Sequence, residues 1–340
     1  MNYDAILVVS FGGPEKRADV IPFLENVLRG KNVPRERMLA VAEHYYQFDG
    51  VSPINAQNRA LAAALKAELE RHGLRMPVYC GNRNWHPILT DTLRQMQADG
   101  IQNALAFVTS AYSSYSGCRQ YLEDIARARA QVGERAPVVD KLRVFFNHPG
   151  FIEATAARMR EALAQVPPDG RAAARIIFTA HSIPRAMAMN CKYVEQLQEA
   201  CRLVSAEVGR SGFRLAYQSR SGPPSEPWLA PDILDVLREL KAHPLARQVV
   251  VVPIGFLSEH IEVLYDLDTQ ARQLAEELGL NMVRSRTVGS HPRFIAMIRE
   301  LVQERIEGRK KLSLGFMGPS HDVCPPDCCA PPKTNRGAAG

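Results

Sequence analysis

Hydrophobic runs long enough to cross a bilayer are missing from the sequence. A membrane helix needs about 20 consecutive apolar residues, and no stretch of this 340-residue chain approaches that length. The amino terminus, MNYDAILVVSFGGPE, also lacks the basic residues that open a signal peptide, so AILVV is predicted to be a first strand. The sequence therefore predicts a cytoplasmic protein without a transmembrane segment.

Clustered charge is missing as well. The formal net charge is +6, yet lysine and arginine are scattered, and no basic run contains interleaved aromatic residues. Nucleic acid is therefore not an expected partner. A basic cleft that binds an anionic small molecule fits this charge equally well.

The seven cysteines do not predict a disulfide framework, because no secretory signal accompanies them. Cys80, Cys191 and Cys201 are expected to be small buried hydrophobic residues. Three others crowd into VCPPDCCAPP at residues 323–332, a spacing that needs its own explanation.

The composition, 46% hydrophobic and 23% charged, is that of a soluble globular protein, and 340 residues allow two domains. Short β-branched runs alternate with amphipathic helical patterns, which predicts an α/β fold with two four-stranded parallel sheets. The predicted strands are residues 5–11, 76–81, 104–110 and 142–146, then 175–181, 213–219, 248–256 and 281–285. The predicted domains are 1–146 and 147–308, followed by an appended tail, 309–340, outside the core.

Four loops follow predicted strands and are rich in small and polar residues: SFGGP, TSAYSSYSG, TAHSIP and GFLSEHIE. Ligands of open α/β sheets bind beyond the carboxyl ends of the strands, so these loops should face one cleft between the domains. His181 and Glu262 are then expected to be neighbours in space.

The segment SEHIEVLYDLD, residues 258–268, carries unusual negative charge directly after a buried strand. A helix would place Glu259, Glu262 and Asp266 on one face, with Gln270 a turn further on. Such a face repels itself and favours a cation or a proton, although an acidic, solvated helix start is the alternative. His260 beside it, like His181, suits a metal ligand, a proton acceptor or a hydrogen-bonded structural residue.

Basic and hydroxyl side chains in VLRGK and GVSPINAQ are candidates for the rim of this cleft. Arg29, Lys31 and Ser52 suit the carboxylates of an anionic ligand, with solvated surface as the alternative for each.

Aromatic side chains provide a second group of candidates. Trp228, in a rigid loop rich in proline and glycine, could form a wall against a flat ligand or cap the core. Tyr112 and Tyr115 could bring phenolic oxygens to a metal from the face opposite His181, or could be packing aromatics.

The motifs SFGGPE, GVSPINAQ, FTAHSIP, YQSRSGPPSEPWL and PIGFLSEHIEVLYDLD, in this order, resemble ferrochelatases, the enzymes that insert ferrous iron into a porphyrin in haem biosynthesis. The resemblance covers roughly residues 3–308. It implies two Rossmann-like domains with the porphyrin between them, and His181 and Glu262 as catalytic residues. It also implies an acidic iron path through Asp266 and His260, where Gln270 departs from the acid that the family often has.

Some ferrochelatases also carry a 2Fe-2S cluster, held by cysteines near the carboxyl terminus and one internal cysteine. The resemblance implies Cys324, Cys328 and Cys329 as ligands, with Cys118 as the fourth, because similar cluster-bearing bacterial members have a cysteine in that loop. Adjacent Cys328 and Cys329 are an awkward pair of ligands. The alternatives are that one of them is free, or that the tail binds zinc or nothing.

Two porphyrins compete as the substrate. The loops TSAYSSYSGCRQY and PPSEPWLAPDI resemble actinobacterial-type enzymes that metallate coproporphyrin III, whose four carboxylates suit the rim residues above. Phe11, however, occupies the place where another coproporphyrin group has an iron-ligating tyrosine. The charged segment 31–48 lacks the long apolar lip of membrane-associated protoporphyrin IX enzymes. Coproporphyrin III is therefore favoured, and transient contacts with neighbouring haem-pathway enzymes are expected.

Three other functions remain to be compared with this one. A tetrapyrrole or haem carrier needs the cleft but has no use for Glu262 and Asp266 facing a metal. A cobalt or nickel chelatase of the same fold differs only in its metal. A dinucleotide oxidoreductase is disfavoured because SFGGPE lacks the G-x-G-x-x-G spacing that lets a backbone approach a pyrophosphate.

Overall fold

The computed structural model describes residues 2–31, 33–223, 225–242 and 247–331, and it contains two four-stranded sheets, both entirely parallel. The predicted α/β class is therefore confirmed. The first sheet has the order β2-β1-β3-β4 and consists of β1 (Ala5–Ser10), β2 (Val78–Asn82), β3 (Asn103–Val108) and β4 (Val138–Lys141). The second has the order β6-β5-β7-β8 and consists of β5 (Arg175–His181), β6 (Arg214–Gln218), β7 (Gln248–Val252) and β8 (Asn281–Arg284).

Helices connect the strands in both halves of the chain. In the first half they are α1 (Val20–Leu28), α2 (Arg35–Tyr46), α3 (Ile54–Arg71), α4 (Leu89–Ala98) and α5 (Gln120–Val132). Then come α6 (Pro149–Gln165), α7 (Pro168–Arg171), α8 (Arg185–Ala188), α9 (Tyr193–Val208), α10 (Ile233–Lys241), α11 (Ile261–Val263), α12 (Arg272–Glu277) and α13 (Pro292–Glu307). None of the helices in the described ranges has the length and apolarity that a membrane crossing requires.

Irregular helical turns occupy three places that matter for the loops. A 3-10 turn covers Arg17–Asp19, and a π-helical turn, Tyr115–Arg119, leads into α5. A longer π-helical segment, Leu264–Ala271, joins α11 to α12. Single π-helical turns inside helices occur frequently at functional sites, because they shift side chains away from the regular 3.6-residue period.

The central strands are buried because helices cover both faces of each sheet. Every residue of β1 is buried, and Val8 pairs in register with Cys80 of β2 and Phe107 of β3. The run RIIFTAH in β5 is similarly buried apart from its two ends. Continuous apolar strands of this kind are what a parallel sheet covered on both faces requires.

The predicted fourth strand, 142–146, is wrong. The strand ends at Lys141, Leu142 makes one more backbone hydrogen bond to Ala106 of β3 at 2.9 Å, and the rest of the run is buried in the core outside the strand. Phe145 stacks on Phe107, with ring centroids 5.3 Å apart, and also packs against Phe294 of α13. Burial of aromatic surface, rather than a ladder of hydrogen bonds, therefore explains the apolar pattern.

The two halves share a core, because α13 returns from the second sheet to the first half. It packs against both α3 and α6. A buried ion pair joins Arg143, after β4, to Glu304 of α13 at 2.7 Å between Nε and Oε2. The domain boundaries near residues 146 and 308 remain predictions.

The tail after α13 is not the appendage that its sequence predicted. The backbone N–H of Leu312 donates to Glu304 Oε1 at 2.7 Å, and Asn147 donates to the carbonyl of Gly318 at 2.8 Å. Cys329 is only 3% exposed and belongs to the main core. Side-chain hydrogen bonds to the tail backbone thus replace regular secondary structure as far as residue 331, and residues 332–340 lie outside the described part of the chain.

Candidate active site and cysteine cluster

His181 and Glu262 meet at the carboxyl ends of the second sheet, as the topology predicts. His181 is the last residue of β5, and Glu262 lies in α11, after the loop that follows β7. His181 Nε2 lies 3.6 Å from Glu262 Oε1, and His260 Nδ1 lies 3.9 Å from Glu262 Oε2. The Glu262 carboxylate therefore lies close to two imidazole rings, one at each oxygen.

The orientation of His181 is set by backbone groups. Its Nδ1 contacts the carbonyl oxygen of Ser182, and the Tyr193 hydroxyl donates to the main-chain oxygen of His181 at 3.0 Å. Because a carbonyl oxygen only accepts, Nδ1 carries the proton, and Nε2 is left to face Glu262. This arrangement leaves Nε2 as the ring atom able to exchange protons.

The charges of the pair shift both of their pKa values. Burial favours a neutral carboxyl, but the facing His181 and then His260 lower the pKa of Glu262 to about 2. Burial lowers the pKa of His181, yet Glu262 more than compensates, so that the net shift is upward. Glu262 is thus ionised at neutral pH, and His181 is a stronger proton acceptor than a free imidazole.

The pKa of Asp266 is shifted upward, in the direction opposite to the shift of Glu262. Burial raises its pKa to about 7, helped by the charge of Glu262 and opposed by hydrogen bonds from Ser219 and Gln218. Gln218 Nε2 lies 3.4 Å from Asp266 Oδ2, and Ser219 donates to the same oxygen from a left-handed backbone conformation, φ 61°. Two nearby carboxyl groups with separated pKa values are typical of a site that handles protons.

The expected face of three acids is wrong at Glu259. The helix begins at Ile261, and the Glu259 carboxylate instead pairs with Arg284 at 3.0 Å and accepts from the Thr287 backbone at 2.9 Å. Its position before the helix turns it away from Glu262. Gln270 lies at the exposed end of the π-helical segment, so the acidic face consists of Glu262 and Asp266.

The predicted rim residues lie in two different environments. Arg29 and Lys31, after α1, are exposed. Ser52 is buried, and its backbone N–H donates to the carbonyl of Pro14 in the loop after β1 at 2.8 Å. The two cations are therefore accessible to a ligand as they stand, whereas Ser52 lies beneath the loop.

The three aromatic candidates also lie in different environments. Tyr112 is buried in the core, where its hydroxyl donates to the carbonyl of Ile254 at 3.1 Å, and Tyr115 donates to Glu123 at 2.9 Å. Both hydroxyls already have acceptors, so we leave these tyrosines out of the site. Trp228 is half-buried and pairs as an isolated antiparallel bridge with Pro184, three residues after His181.

Helix α2 supplies contacts that sequence reasoning missed. The His44 ring stacks on Tyr265 of the π-helical segment, with centroids 3.7 Å apart, and Arg37 donates to the carbonyl of Ser221 at 2.7 Å. Burial raises the pKa of Tyr45, and the negative charge of nearby Glu262 raises it further. The motif EHYYQF, with its concentration of aromatic residues, was the signal in the sequence.

The four cysteines proposed from the resemblance lie together. Cys118, in the π-helical turn before α5, belongs to the same buried core cluster as Cys329, and Cys324 and Cys328 pack against that cluster. The sulfur atoms of Cys328 and Cys329 are 3.7 Å apart. His321 Nε2 also lies 3.6 Å from the Cys328 sulfur. All four are free thiols rather than disulfides. Four converging thiols are the donor set that a 2Fe-2S cluster requires.

Polar contacts hold the tail against the turn that carries Cys118. Arg119 donates to the carbonyl of Pro326 at 2.7 Å, and within the tail Lys311 pairs with Asp322 at 2.6 Å. His321, Cys324 and Cys328 place their ligand atoms within 4.8 Å of one another, which is the spacing of a metal site. The fold therefore brings distant parts of the sequence into a single set of soft ligands.

Solved structures agree with this architecture. SirB from Bacillus subtilis with Fe3+ matches at a TM-score of 0.56 and 14% identity, covering 91% of this chain and 98% of that chain. A sirohydrochlorin chelatase SirB in complex with cobalt, from Bacillus subtilis subspecies spizizenii, matches at a TM-score of 0.54 and 13% identity, covering 90% and 97%. These likenesses concern the fold alone.

Sequence comparisons are more specific. A ferrochelatase of Rhodopirellula baltica is 57% identical over 328 residues, which cover 96% of this chain and 93% of that protein. A coproporphyrin III ferrochelatase of Streptomyces coelicolor is 49% identical, covering 99% and 96%. The ferrochelatase family model matches residues 3–306. The site itself has a histidine and two carboxyl groups at the ends of the parallel strands. These matches over nearly the whole length show that the chain belongs to the ferrochelatase family.

Proposed function

We propose that this ferrochelatase inserts ferrous iron into coproporphyrin III, with His181 as the proton acceptor and Glu262 as its partner. The contact between His181 Nε2 and Glu262 Oε1 carries the proposal, since it joins a base to an ionised carboxylate at the ends of the parallel strands. Metallation releases the protons of the two pyrrole N–H groups. The site must therefore accept protons as well as iron.

His181 takes a pyrrole proton at Nε2 in this proposal. The imidazolium that forms is stabilised by Glu262, which is ionised in advance, so the charge is compensated without rearrangement. His260 shares the same carboxylate at 3.9 Å. Burial lowers the pKa of His260, so it stays neutral while His181 holds the proton.

Asp266 is assigned to the iron path. Carboxylate oxygens bind a hard divalent ion exchangeably, which suits a substrate that must leave the site with the porphyrin. Ser219 and Gln218 hold its carboxyl group in place. Because the pKa of Asp266 is raised to about 7, this group changes charge in the physiological range.

We expect kcat/KM for ferrous iron to rise as the pH increases through about 7. Below that pH Asp266 is protonated and neutral, and above it the carboxylate attracts the cation. Asp266→Asn should reduce this rise to the part caused by deprotonation of His181, whose pKa is also raised, and should lower kcat/KM at pH 8 by about tenfold, equivalent to ~1.4 kcal/mol of transition-state stabilisation. Steady-state metallation rates between pH 6 and about 8.5 measure both the pH dependence of kcat/KM and its value at pH 8.

The control is Asp235→Asn, which removes an exposed carboxylate that pairs with Arg238 on α10. Its pH profile should match that of the wild type. An unchanged inflection in Asp266→Asn would show that another group causes it, and the iron path through Asp266 would be withdrawn.

Coproporphyrin III is proposed as the porphyrin for two reasons. Relatives that cover nearly the whole chain at 46–50% identity carry the name coproporphyrin III ferrochelatase. The exposed cations Arg29 and Lys31 would pair with the additional carboxylates of this porphyrin. Phe11 makes an edge contact with Phe23 at 6.2 Å between centroids, so the end of β1 offers the iron no phenolic ligand.

Comparing the two porphyrins tests the substrate. We expect kcat/KM with coproporphyrin III to exceed that with protoporphyrin IX by at least about tenfold, because exposed ion pairs each add a few tenths to one kcal/mol and several act together. Lys31→Met should reduce this ratio, and Lys66→Met, on α3, should not. A higher kcat/KM with protoporphyrin IX in the wild type would overturn the assignment.

We also propose that Cys118, Cys324, Cys328 and Cys329 hold a 2Fe-2S cluster. The support is their placement in or against one core cluster, which includes Cys118 although it is distant in sequence from the other three. When bound, such a cluster supplies one-electron redox chemistry and links the tail covalently to the turn before α5. His321 beside Cys328 gives the alternative zinc site a fourth donor, so metal analysis must accompany any spectrum.

A further inference from the structure

The tail after α13 is fixed to the body of the protein by side chains that the iron insertion reaction does not use. Arg143 and Glu304, which form a buried ion pair, hold the backbone of Leu312 from both sides. Arg143 donates to the carbonyl of Leu312 at 2.7 Å, and the N–H of Leu312 donates to Glu304 Oε1 at 2.7 Å. Both backbone groups of Leu312 are therefore paired with charged side chains, which form the stronger hydrogen bonds.

Asn147 holds the next stretch of the tail. Its side chain is completely buried, and Nδ2 donates to the carbonyls of Leu314 and Gly318 at 3.1 and 2.8 Å. The main-chain carbonyl of Asn147 accepts from the N–H of Leu314 at 2.8 Å. Oδ1 of the same amide is buried and has no hydrogen-bond partner among the described residues. An apolar residue would avoid the cost of that unpaired acceptor, so the contacts with the tail explain why an amide lies in the core here.

The tail between these contacts fits closely against α9. Gly315 has a left-handed backbone, φ 71°, and a side chain at this position would collide with the Glu199 carboxylate. Glu199 is buried and paired with Arg202 at 2.7 Å between Oε2 and Nε, so its carboxylate is held in place. Residues 312–318 thus lie in a seat formed by the segment before α6, by α9 and by α13.

These contacts join protein atoms only, so docking of the tail requires no metal. We propose that a polar anchor, defined as Arg143, Asn147 and Glu304, docks the tail before any iron arrives and thereby positions the tail cysteines for cluster assembly. This inference rests on the proposed cluster. The three residues act through the tail, so they are positioning residues and not ligands.

Docking shortens the free chain that must close on Cys118. That chain begins at Gly308, where α13 ends, if the tail is free, and at Gly318 if the anchor holds it. Effective concentration falls roughly as the −3/2 power of linker length, so docking raises that of Cys324 near Cys118 by about fourfold through length alone. The docked residues also need no further ordering when the cluster assembles, which lowers the entropic cost again.

Two variants break the Asn147 contacts from opposite sides. Asn147→Leu occupies the core position without a donor, and Leu314→Pro removes the N–H that Asn147 accepts, in a partly exposed segment. Leu314→Ala, which keeps that N–H, is the matched control. The full-length proteins are purified anaerobically and their iron and sulfide are counted. Trypsin cleavage after Lys310 or Lys311 is then timed before and after iron and sulfide are removed by chelation.

We expect removal of iron and sulfide to speed cleavage of the wild-type tail by no more than about threefold, because the anchor remains. Both variants, free of metal, should be cleaved at least about tenfold faster than the metal-free wild type, since each loses hydrogen bonds that hold the tail. Both should also contain less iron and sulfide than the wild type when purified. Leu314→Ala should match the wild type in both measurements.

Three results would overturn the inference or its basis. Metal-free wild type that is cleaved as fast as metal-free Asn147→Leu shows that the metal, and not the anchor, docks the tail. Full iron and sulfide in both variants, despite fast cleavage, shows that the anchor does not position the cysteines. Wild-type protein purified without iron and sulfide overturns the cluster proposal, and its cleavage rate relative to the variants still tests the anchor. If Asn147→Leu does not fold, Leu314→Pro, which changes the tail and not the core, gives the same comparison.

Discussion

Replacing His181 with alanine should lower the rate of metallation by at least about 10²-fold, the lower limit of what a positioned general base contributes. The imidazole Nε2 is the atom oriented towards Glu262, and the backbone contact at Nδ1 fixes that orientation. Porphyrin binding should remain within about threefold of the wild-type Kd, because removing an interaction made only during reaction affects kcat rather than binding. Loss of free-base fluorescence measures metallation, and fluorescence titration without iron measures binding.

The matched control for this variant is His72→Ala. His72 follows α3, and its ring contacts the carbonyl of Glu68 at 2.9 Å, away from the second sheet. The His72→Ala variant should metallate porphyrin at the wild-type rate. Wild-type turnover in His181→Ala would remove His181 from the mechanism, and a large loss of porphyrin binding would make it a binding residue instead.

Replacing Cys118 with serine should abolish the iron–sulfur spectrum of the anaerobically purified protein. Cys118 shares a core cluster with Cys329, and Cys324 and Cys328 pack against it, so the substitution removes the internal thiol of the proposed ligand set. A serine hydroxyl is a poor substitute for a thiolate towards iron in such clusters. The expected result is loss of the visible bands together with most of the iron and acid-labile sulfide.

Cys80→Ser is the control for the cysteine prediction. Cys80 lies in β2, where its sulfur is 3.9 Å from the carbonyl oxygen of Asn58 on α3. The visible spectrum of Cys80→Ser should match that of the wild-type protein. Wild-type iron and sulfide in Cys118→Ser would exclude Cys118 as a ligand, and stoichiometric zinc in the wild type would favour the alternative site that includes His321.

The alternation of apolar strands and amphipathic helices was sufficient to predict the fold class. Amphipathic helices such as Tyr193–Val208 are observed between the strands, and both four-stranded sheets form. The fourth strand was misplaced because a buried aromatic run such as 142–146 has the same apolar pattern in a strand and in an unpaired core segment. Only contacts such as Phe145 on Phe107 distinguish the two.

The candidate site was predictable where topology determined it. The carboxyl ends of β5 and β7 face the same edge of the sheet, which brings His181 to Glu262. Glu259 could not be assigned correctly, because its partner Arg284 comes from β8 and the start of the helix depends on tertiary contacts.

The cytoplasmic location, the transient contacts with haem-pathway enzymes and the roles of Arg29, Lys31, Ser52 and Trp228 remain predictions. The carrier function differs from the proposed one in a testable way. A carrier would not require Glu262 to be ionised beside a proton acceptor, whereas metallation does.

Anaerobic turnover of the wild-type protein with ferrous iron and coproporphyrin III tests the central claim most directly. We predict that free-base fluorescence disappears over many turnovers while the absorption bands of the iron porphyrin appear. Tight binding of the porphyrin without metallation would contradict the claim, and the catalytic roles of His181 and Glu262 would then be withdrawn.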